Sequence, residues 1–397
     1  MDNIIFILRI LTYNISINKL RRFNYEKNKL IIFMLFPISL LLNFLASKFP
    51  YFIETFYTQG INKITVQLLS KISGIIPFSI YEFTIYTVII FSLYFVIYSL
   101  YLLFSNKHKF KIHMVKSITN FLSIVSIAYF LFLILWGFNY NKLPLETILI
   151  DRYNKTNDKS ITKVEYNNEN LIELYKYLID KTNETRKLVL EDNNHVMKLN
   201  SDYKDVIKRA TTGFNNISSI IPNLDGYYGN AKYILSSKLM CYTGITGIYF
   251  PFTGEANINK ATPDFSIPST TLHEMAHQRG YASEDEANFI AYLASINHSD
   301  VDFIYSGYRL ALHHTSNALR NVDFDAYKEL SHNLSEDVIN DIKNNNEFWS
   351  KYEGEINNLS DNFNNSYLKA NGVKEGTKSY GKMVDLLLTY YSLNKFD

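Results

Sequence analysis

Three long apolar runs in the first third of the chain place the strongest limit on how it can fold. They cover about 30–47, 83–104 and 118–137, and their interiors contain no lysine, arginine, aspartate or glutamate. Each run approaches the roughly 20 residues that an α-helix needs to cross a bilayer. Core helices of soluble proteins are usually shorter and keep a polar face. We therefore predict three transmembrane helices, with Trp136 at a membrane interface.

The distribution of basic residues predicts how these helices are oriented. Lysine and arginine are frequent before the first run and between the second and third, and sparse between the first and second. Cytoplasmic loops are enriched in these residues. The N-terminus and the loop between the second and third helices are therefore expected in the cytoplasm. Three crossings then place the chain after about residue 138 outside the cytoplasm, as part of a multi-pass protein of the cell membrane.

The polar remainder of the chain predicts a mostly helical domain with a small β-sheet. Apolar residues recur at helical spacing from Leu171 to Ile179. A stretch interrupted by glycine and proline, from Asp225 to Gly254, contains the β-prone piece Ile248-Tyr249-Phe250, and Ala256–Asn259 is a second such piece. The predicted fold class is mainly α, with a membrane anchor at 1–137 and an extracytoplasmic domain at 138–397.

Charge and cysteine content exclude several classes of function. The net charge of +2 is close to neutral and no basic stripe is present, so nucleic acid is not an expected partner. The lipid bilayer is an expected partner, because of the three apolar runs. Cys241 is the one cysteine of the chain, so it forms no intramolecular disulfide and builds no thiolate cluster by itself.

The segment His273-Glu274-Met275-Ala276-His277 carries the most specific chemical signal. Pro268 and the Ser269-Thr270-Thr271 run before it predict the start of a helix. On a helix, residues four apart lie on one face, so both histidines can bind one Zn²⁺ ion. Glu274 beside them is then the expected general base of a zinc hydrolase of the gluzincin type.

A third ligand is predicted shortly after the motif. Gly280 can end the motif helix in a left-handed conformation, and Ser283 with Glu286 resembles a capping box that opens a second helix. Glu286 is the first choice for the third ligand and Glu284 the second. Asp285 is expected to face elsewhere, because neighbours on a helix point about 100° apart. The metzincin pattern is not met, since Ser283 stands where its third histidine would be.

Several segments resemble the membrane-anchored, zincin-like family catalogued as domain of unknown function 3810. They are Tyr249–Asn257, the motif itself with the following Gln-Arg-Gly, Glu284–Phe289 and Ser379–Leu387. With the three apolar runs, the resemblance extends over most of the chain. It implies a zincin-like site and supplies no established substrate.

The piece Glu286-Ala287-Asn288 with Ala291 is also similar to the third-ligand helix of metallopeptidases of the ImmA/IrrE type. In that class the glutamate before Ala-Asn binds the metal, which favours Glu286. The gap from the second histidine is shorter here. The aspartate that follows the ligand glutamate by four residues in thermolysin-like enzymes is replaced by Ile290.

The expected function is hydrolysis of peptide bonds in peptides or proteins of the cell envelope. Intramembrane proteolysis is disfavoured because the motif lies in a polar region away from the apolar runs. A non-catalytic zinc-binding sensor or scaffold is the remaining alternative, although Glu274 would serve no purpose there. The strand-prone Glu255–Asn259 is a candidate edge for binding an extended substrate. Candidate oxyanion stabilisers are Tyr305, Tyr308, His313 and His314.

Overall fold

The computed structural model of the chain describes residues 29, 31–221, 223–371 and 381–394. The N-terminal residues 1–28, on which the predicted cytoplasmic N-terminus depends, lie outside this part. The chain is mainly helical with small sheets, as predicted from the sequence. Its helices and strands have the following bounds: α1 Ile31–Ala46, α2 Pro50–Gly74, α3 Ile80–Ser105, α4 Lys107–Leu135, α5 Leu145–Asn157, α6 Asn168–Arg186, β1 Leu190–Glu191, β2 Met197–Lys198, α7 Tyr203–Arg209, α8 Thr211–Ile217, β3 Lys232–Tyr233, α9 Ser237–Cys241, β4 Gly247–Phe250, β5 Glu255–Ile258, α10 Ile267–Gln278, α11 Glu284–Ile296, α12 Val301–Val322, α13 Phe324–Ser331, α14 Glu336–Ser350, α15 Glu355–Ala370 and α16 Lys382–Asn394.

Two helices, α3 and α4, are long and apolar enough to cross a membrane, and a third span exists if the bent pair α1 and α2 counts as one. α3 contains the second predicted run, and α4 contains the third as far as Leu135. α1 lies within the first run, but its described residues are fewer than the roughly 20 that a span needs. Two helices, or three if the bent pair is one span, are therefore long and apolar enough to cross a membrane, and α1 by itself is not.

The chain divides into two compact units. The first contains the described residues up to Lys48 together with Thr87–Ile134, and the second contains Phe49–Tyr86 together with the described residues from Leu135 onward. The sequence predicted one boundary near 137, with everything before it in the anchor. Residues 49–86 group with the second unit, in which the polar side chains of α2 bond to Asn139 and Gly229.

A three-stranded sheet and four helices form the centre of the second unit. The strand order is β3-β5-β4, with β5 parallel to β3 and antiparallel to β4. α10 packs against β5 and α11, and α12 packs against α11 and α6. α11 is buried along most of its length, with Ala287, Ala291 and Ala294 allowing close approach by its neighbours. The motif helix α10 is thus held between a sheet and a buried helix.

Candidate metal centre

The motif lies on α10, and the local sequence explains both ends of this helix. Pro268 lies in its first turn, where a missing N–H costs no hydrogen bond. At the other end Gly280 has a φ of +88°. The Gly280 N–H donates to the His277 carbonyl (2.9 Å) and the Tyr281 N–H to the Ala276 carbonyl (3.2 Å). This is a Schellman termination, and the predicted left-handed glycine is confirmed.

His273, His277 and Glu284 come together at the end of the motif helix. Nε2 of His273 lies 3.1 Å from one carboxylate oxygen of Glu284, and Nε2 of His277 lies 3.6 Å from the other. One ligand atom from each of the three residues lies within 4.8 Å of the other two. Each side chain is largely shielded from solvent, with Glu284 the most accessible at 22%. Three groups of the type that Zn²⁺ prefers therefore face one point.

The far nitrogen of each histidine is held by an acceptor. Nδ1 of His273 donates to the Asn288 side-chain oxygen (2.9 Å), and Nδ1 of His277 donates to the Tyr281 carbonyl (2.6 Å). A carbonyl oxygen can only accept, so Nδ1 of each ring carries a proton, and Nε2 is the ring atom directed to Glu284. Partners of this kind fix the ring orientation of metal-binding histidines. The sequence did not predict the role of Asn288 as a positioning residue.

Glu274 lies beside this group and is buried at 4% exposure. A Cβ added at Gly247 of β4 would be 2.5 Å from Oε1 of Glu274, so the glycine allows the carboxylate to lie against the strand. Among the described residues, Oε2 of Glu274 has no hydrogen-bond partner. Burial raises the pKa of Glu274 to about 7, and the adjacent histidines oppose this shift. A buried carboxylate with an unsatisfied oxygen indicates a place for a polar group that it would contact.

The charges of the group depend on one another. Burial opposes protonation of His277, yet the Glu284 carboxylate raises the pKa of this histidine to about 9. Burial also acts to raise the pKa of Glu284, but His277 and His273 hold it well below its usual range. The carboxylate of Glu284 is therefore ionised at neutral pH, as a metal ligand must be.

Glu286, the first choice for the third ligand, is placed elsewhere. Its Oε1 accepts from the N–H of Leu145 (2.6 Å), and its Oε2 lies 3.2 Å from Nζ of Lys142. It therefore holds the start of α5 and not the histidine pair. Because Glu284 and Glu286 lie two helical positions apart, they point to different sides of α11. The structure brings the second choice, Glu284, to the histidines.

α11 begins where the sequence predicted, but the predicted capping hydrogen bond of Ser283 is not made. Ser283 is the N-cap residue of α11, yet its side chain makes no capping hydrogen bond. Its partner in the predicted capping box, Glu286, is engaged by α5. Asp285 faces away from the histidines, as predicted, and accepts from the N–H of Met383 (3.2 Å).

Three aromatic residues, Trp136, Tyr140 and Tyr367, lie near the candidate ligands. The ring of Trp136 meets the ring of His277 edge-on at 5.9 Å, and the Tyr140 hydroxyl donates to the Tyr367 hydroxyl (3.2 Å). Burial raises the pKa of both tyrosines, and the charge of Glu284 adds to the shift. Both hydroxyls are therefore protonated donors close to the candidate ligands. The chain contains 31 tyrosines, so nothing in the sequence distinguished these two.

The four residues predicted from the sequence as oxyanion stabilisers lie on α12, and their described contacts are with other residues than the candidate ligands. The Tyr305 hydroxyl donates to Asp341, and that of Tyr308 lies 3.5 Å from the Tyr177 hydroxyl. His313 bonds to Asn317 one turn away (3.3 Å), and His314 lies beside His313. None of these contacts involves His273, His277 or Glu284.

The candidate substrate edge Glu255–Asn259 forms the central strand of its sheet and not an edge. β5 pairs with β3 on one side and with β4 on the other. Glu255 is also engaged, since its carboxylate accepts from the N–H groups of Ile80 and Tyr81 and pairs with Lys232. The edge strand next to Glu274 is β4, which carries Gly247.

A second set of possible ligands lies on the surface of the same unit. Glu191, His195 and Asp337 have ligand atoms within 4.8 Å of one another. Nδ1 of His195 lies 2.7 Å from Glu191, whose other oxygen pairs with Arg186 at 3.1 Å. Glu191 and His195 are exposed to solvent, and exposed ion pairs of this kind form readily without a metal. The buried group around His273 is therefore the better candidate.

The chain belongs to the family described as protein of unknown function DUF3810, whose model matches residues 57–388. The match includes α2 from residue 57 onward, both candidate spans, the motif helix and α11. Comparison with curated proteins and with solved structures gave no match. Membership of this family assigns no activity, so the function has to be argued from the site.

Proposed function

We propose that this protein is a membrane-anchored, zinc-dependent metallopeptidase of the gluzincin type. His273, His277 and Glu284 would hold Zn²⁺, and Glu274 would act as the general base. The observation that carries the proposal is the joint placement of two Nε2 atoms and one carboxylate, with the unsatisfied Oε2 of Glu274 beside them.

The spacing of the three groups fits a zinc ion. Ligand atoms about 2.0–2.2 Å from a tetrahedral zinc are roughly 3.3–3.6 Å from one another. Nε2 of His273 and Nε2 of His277 lie 3.1 and 3.6 Å from the two different oxygens of Glu284, and one ligand atom from each residue lies within 4.8 Å of the other two. Three protein ligands leave the fourth position open, which distinguishes a catalytic zinc site from a structural one.

Zinc, when bound, lowers the pKa of a coordinated water to about 7 and polarises a carbonyl group. The residues of the chain supply the proton transfers. Oε2 of Glu274 accepts the proton of the attacking water and delivers it to the amine nitrogen as the peptide bond breaks. The Tyr367 hydroxyl is the candidate donor to the developing oxyanion, and Tyr140, which donates to it, would orient it.

β4 is the proposed binding edge for the substrate backbone. It is an edge strand, and Gly247 at its start lies against the catalytic carboxylate. An extended peptide can add to such an edge through main-chain hydrogen bonds. The substrate class that follows is a peptide or protein segment in extended conformation.

The proposed location is the cell membrane, with the second unit outside the cytoplasm. α3 and α4 are the two helices best suited to span. Two crossings return the chain to the side from which it started, which agrees with the packing of 49–86 in one unit with residues from Leu135 onward. The basic residues at 107–116 favour a cytoplasmic location for the connection between α3 and α4. Substrates would accordingly be proteins of the cell envelope.

The proposal is tested with the purified full chain in detergent. Zinc content and cleavage of a quenched fluorescent peptide library are measured for the wild type, Glu274→Gln and His277→Ala. We expect Glu274→Gln to keep zinc and lose cleavage, and His277→Ala to lose both. Undiminished cleavage by Glu274→Gln would refute the assignment of the base. A wild type that binds zinc and cleaves nothing would instead favour the non-catalytic sensor or scaffold.

A second pair of variants tests the third ligand. Glu284→Gln should lower zinc affinity by at least ten-fold, since it removes a charged ligand. Glu286→Gln should keep zinc and lower the thermal stability, because Lys142 would be left buried without its counter-charge. Loss of zinc from Glu286→Gln alone would return the assignment to Glu286.

A further inference from the structure

α2 has its polar face turned inward and its apolar face turned outward. Ile53–Asn62 is a π-helical segment and Lys63–Gly74 an α-helical one. The buried side of α2 includes five polar residues, at steps of four, four, eight and three. These are Glu54, Thr58, Asn62, Ser70 and Ser73. A water-facing amphipathic helix shows the opposite arrangement.

The outward face is a continuous apolar stripe. Large apolar residues recur at steps of three or four, with one step of five from Phe56 to Ile61 inside the π-helical segment. The wider π turn keeps the two halves of the stripe on one side. Eight exposed side chains form the stripe: Phe49, Phe52, Phe56, Ile61, Ile64, Leu68, Ile72 and Ile75. A water-soluble surface rarely carries an apolar patch of this length.

The polar face of α2 is hydrogen-bonded along its length to other parts of the second unit. Thr58 donates to the Asn139 side chain (2.9 Å), which in turn donates to Asn62 (3.1 Å). Further along, the Ser70 hydroxyl accepts from the N–H of Gly229 (3.0 Å) and the Ser73 carbonyl accepts from Lys232 (2.8 Å). α2 is therefore fixed in rotation, and the apolar stripe cannot turn inward.

Gly280, which ends the motif helix, is in close contact with α2. A Cβ at this position would lie 3.0 Å from the Thr58 methyl and 3.4 Å from Asn62. The residue that ends α10 thus rests on the polar face of α2. Whatever the apolar stripe contacts, the candidate metal centre lies on the opposite side of the same helix.

We infer that α2 lies in the plane of the membrane surface, with its apolar stripe in the lipid. The chain connects α2 at both ends to apolar helices, α1 before it and the candidate span α3 after it. The Lys71 ammonium lies 5.7 Å from the ring of Tyr227, which is 82% exposed. Lysine and tyrosine are typical of the headgroup region. This inference concerns the lipid contact of α2 and stands independently of the proposed activity.

Depth measurements by spin labelling test the inference. Ile64→Cys, Leu68→Cys and Ile72→Cys are labelled in the full chain, which is reconstituted in vesicles of phosphatidylethanolamine and phosphatidylglycerol. Leu359→Cys on α15 is the matched control, since Leu359 is 69% exposed and far from α2 in sequence. The native Cys241 is buried, and burial raises the pKa of its thiol, so this cysteine should react slowly with the label. The chain without an added cysteine is labelled in parallel to measure this background.

We expect the ratio of oxygen to nickel-chelate accessibility to be several-fold higher at the three α2 positions than at 359. The three labels should share one depth. A helix crossing the bilayer would spread them over about 12 Å at 1.5 Å per residue, and such a gradient would overturn the in-plane placement. Ratios equal to that at 359 would show the stripe in water, and low access to both reagents would show it covered by protein. Each of these results refutes the inference.

Discussion

Gly247 on β4 lies where a side chain would displace the proposed general base. An added Cβ would be 2.5 Å from Oε1 and 2.6 Å from Cγ of Glu274, whereas ordinary contacts begin at 3.4 Å. The near contacts are to the side chain of Glu274, so this carboxylate must move in the variant Gly247→Ala. The required displacement is roughly 1 Å, a size of error that can reduce a reaction rate by about 100-fold.

The expected loss in kcat/KM for Gly247→Ala is therefore about 100-fold, equivalent to about 2.7 kcal/mol of transition-state stabilisation. Zinc content should stay at the wild-type level, because the three atoms nearest to the new methyl group all belong to Glu274 and not to a candidate ligand. The variant should also lose about 1–3 kcal/mol of stability, as overpacked sites do. Cleavage is therefore measured at a temperature well below its melting point.

The assay compares peptide cleavage and zinc content for the wild type, Gly247→Ala and Gly354→Ala. Gly354 is the matched control, since a Cβ there meets nothing within 4 Å. Wild-type cleavage by Gly247→Ala would show that the position of the Glu274 carboxylate does not limit the reaction. Loss of zinc together with cleavage would show that the whole motif helix had moved. Either result refutes the reasoning.

Three further predictions concern the surroundings of the centre. Asn288→Ala removes the acceptor for His273 and should weaken zinc binding by about 10–100-fold in competition with a chelator; unchanged affinity would rule out the positioning role. Tyr140→Phe and Tyr367→Phe should lower kcat while zinc content stays constant, and unchanged kcat in both would remove the tyrosines from the reaction. Gly280→Ala forces a φ of +88° on alanine and should cost about 1–2 kcal/mol, seen as a lower melting temperature.

The local parts of the site could be predicted from the sequence. The helical period places His273 and His277 on one face, whatever surrounds them. Gly280 ends the helix because only glycine adopts its backbone conformation without strain. The apolar character of α3 and α4 is likewise a property of composition and length. Each of these inferences depends on neighbours within a few residues.

The choice between Glu284 and Glu286 depended on the rotation of α11 about its axis. Both residues follow the motif at a suitable distance, and both occur at the start of a helix. The rotation is set by packing against α10 and α12 and by the bonds of Glu286 to Leu145 and Lys142. Those partners lie more than 140 residues away in the chain, and no local pattern indicates them.

The sequence by itself determined the apolar character of α3 and α4, the mainly helical class and the pair of histidines, because periodicity and hydrophobicity are read within a single element. The tertiary structure decided which acid meets the histidines, which strand is the edge, and which two tyrosines lie near Glu284. It also showed that α2 packs on the second unit through its polar face. These features depend on which surfaces of distant elements meet, and that is settled only when the whole chain packs.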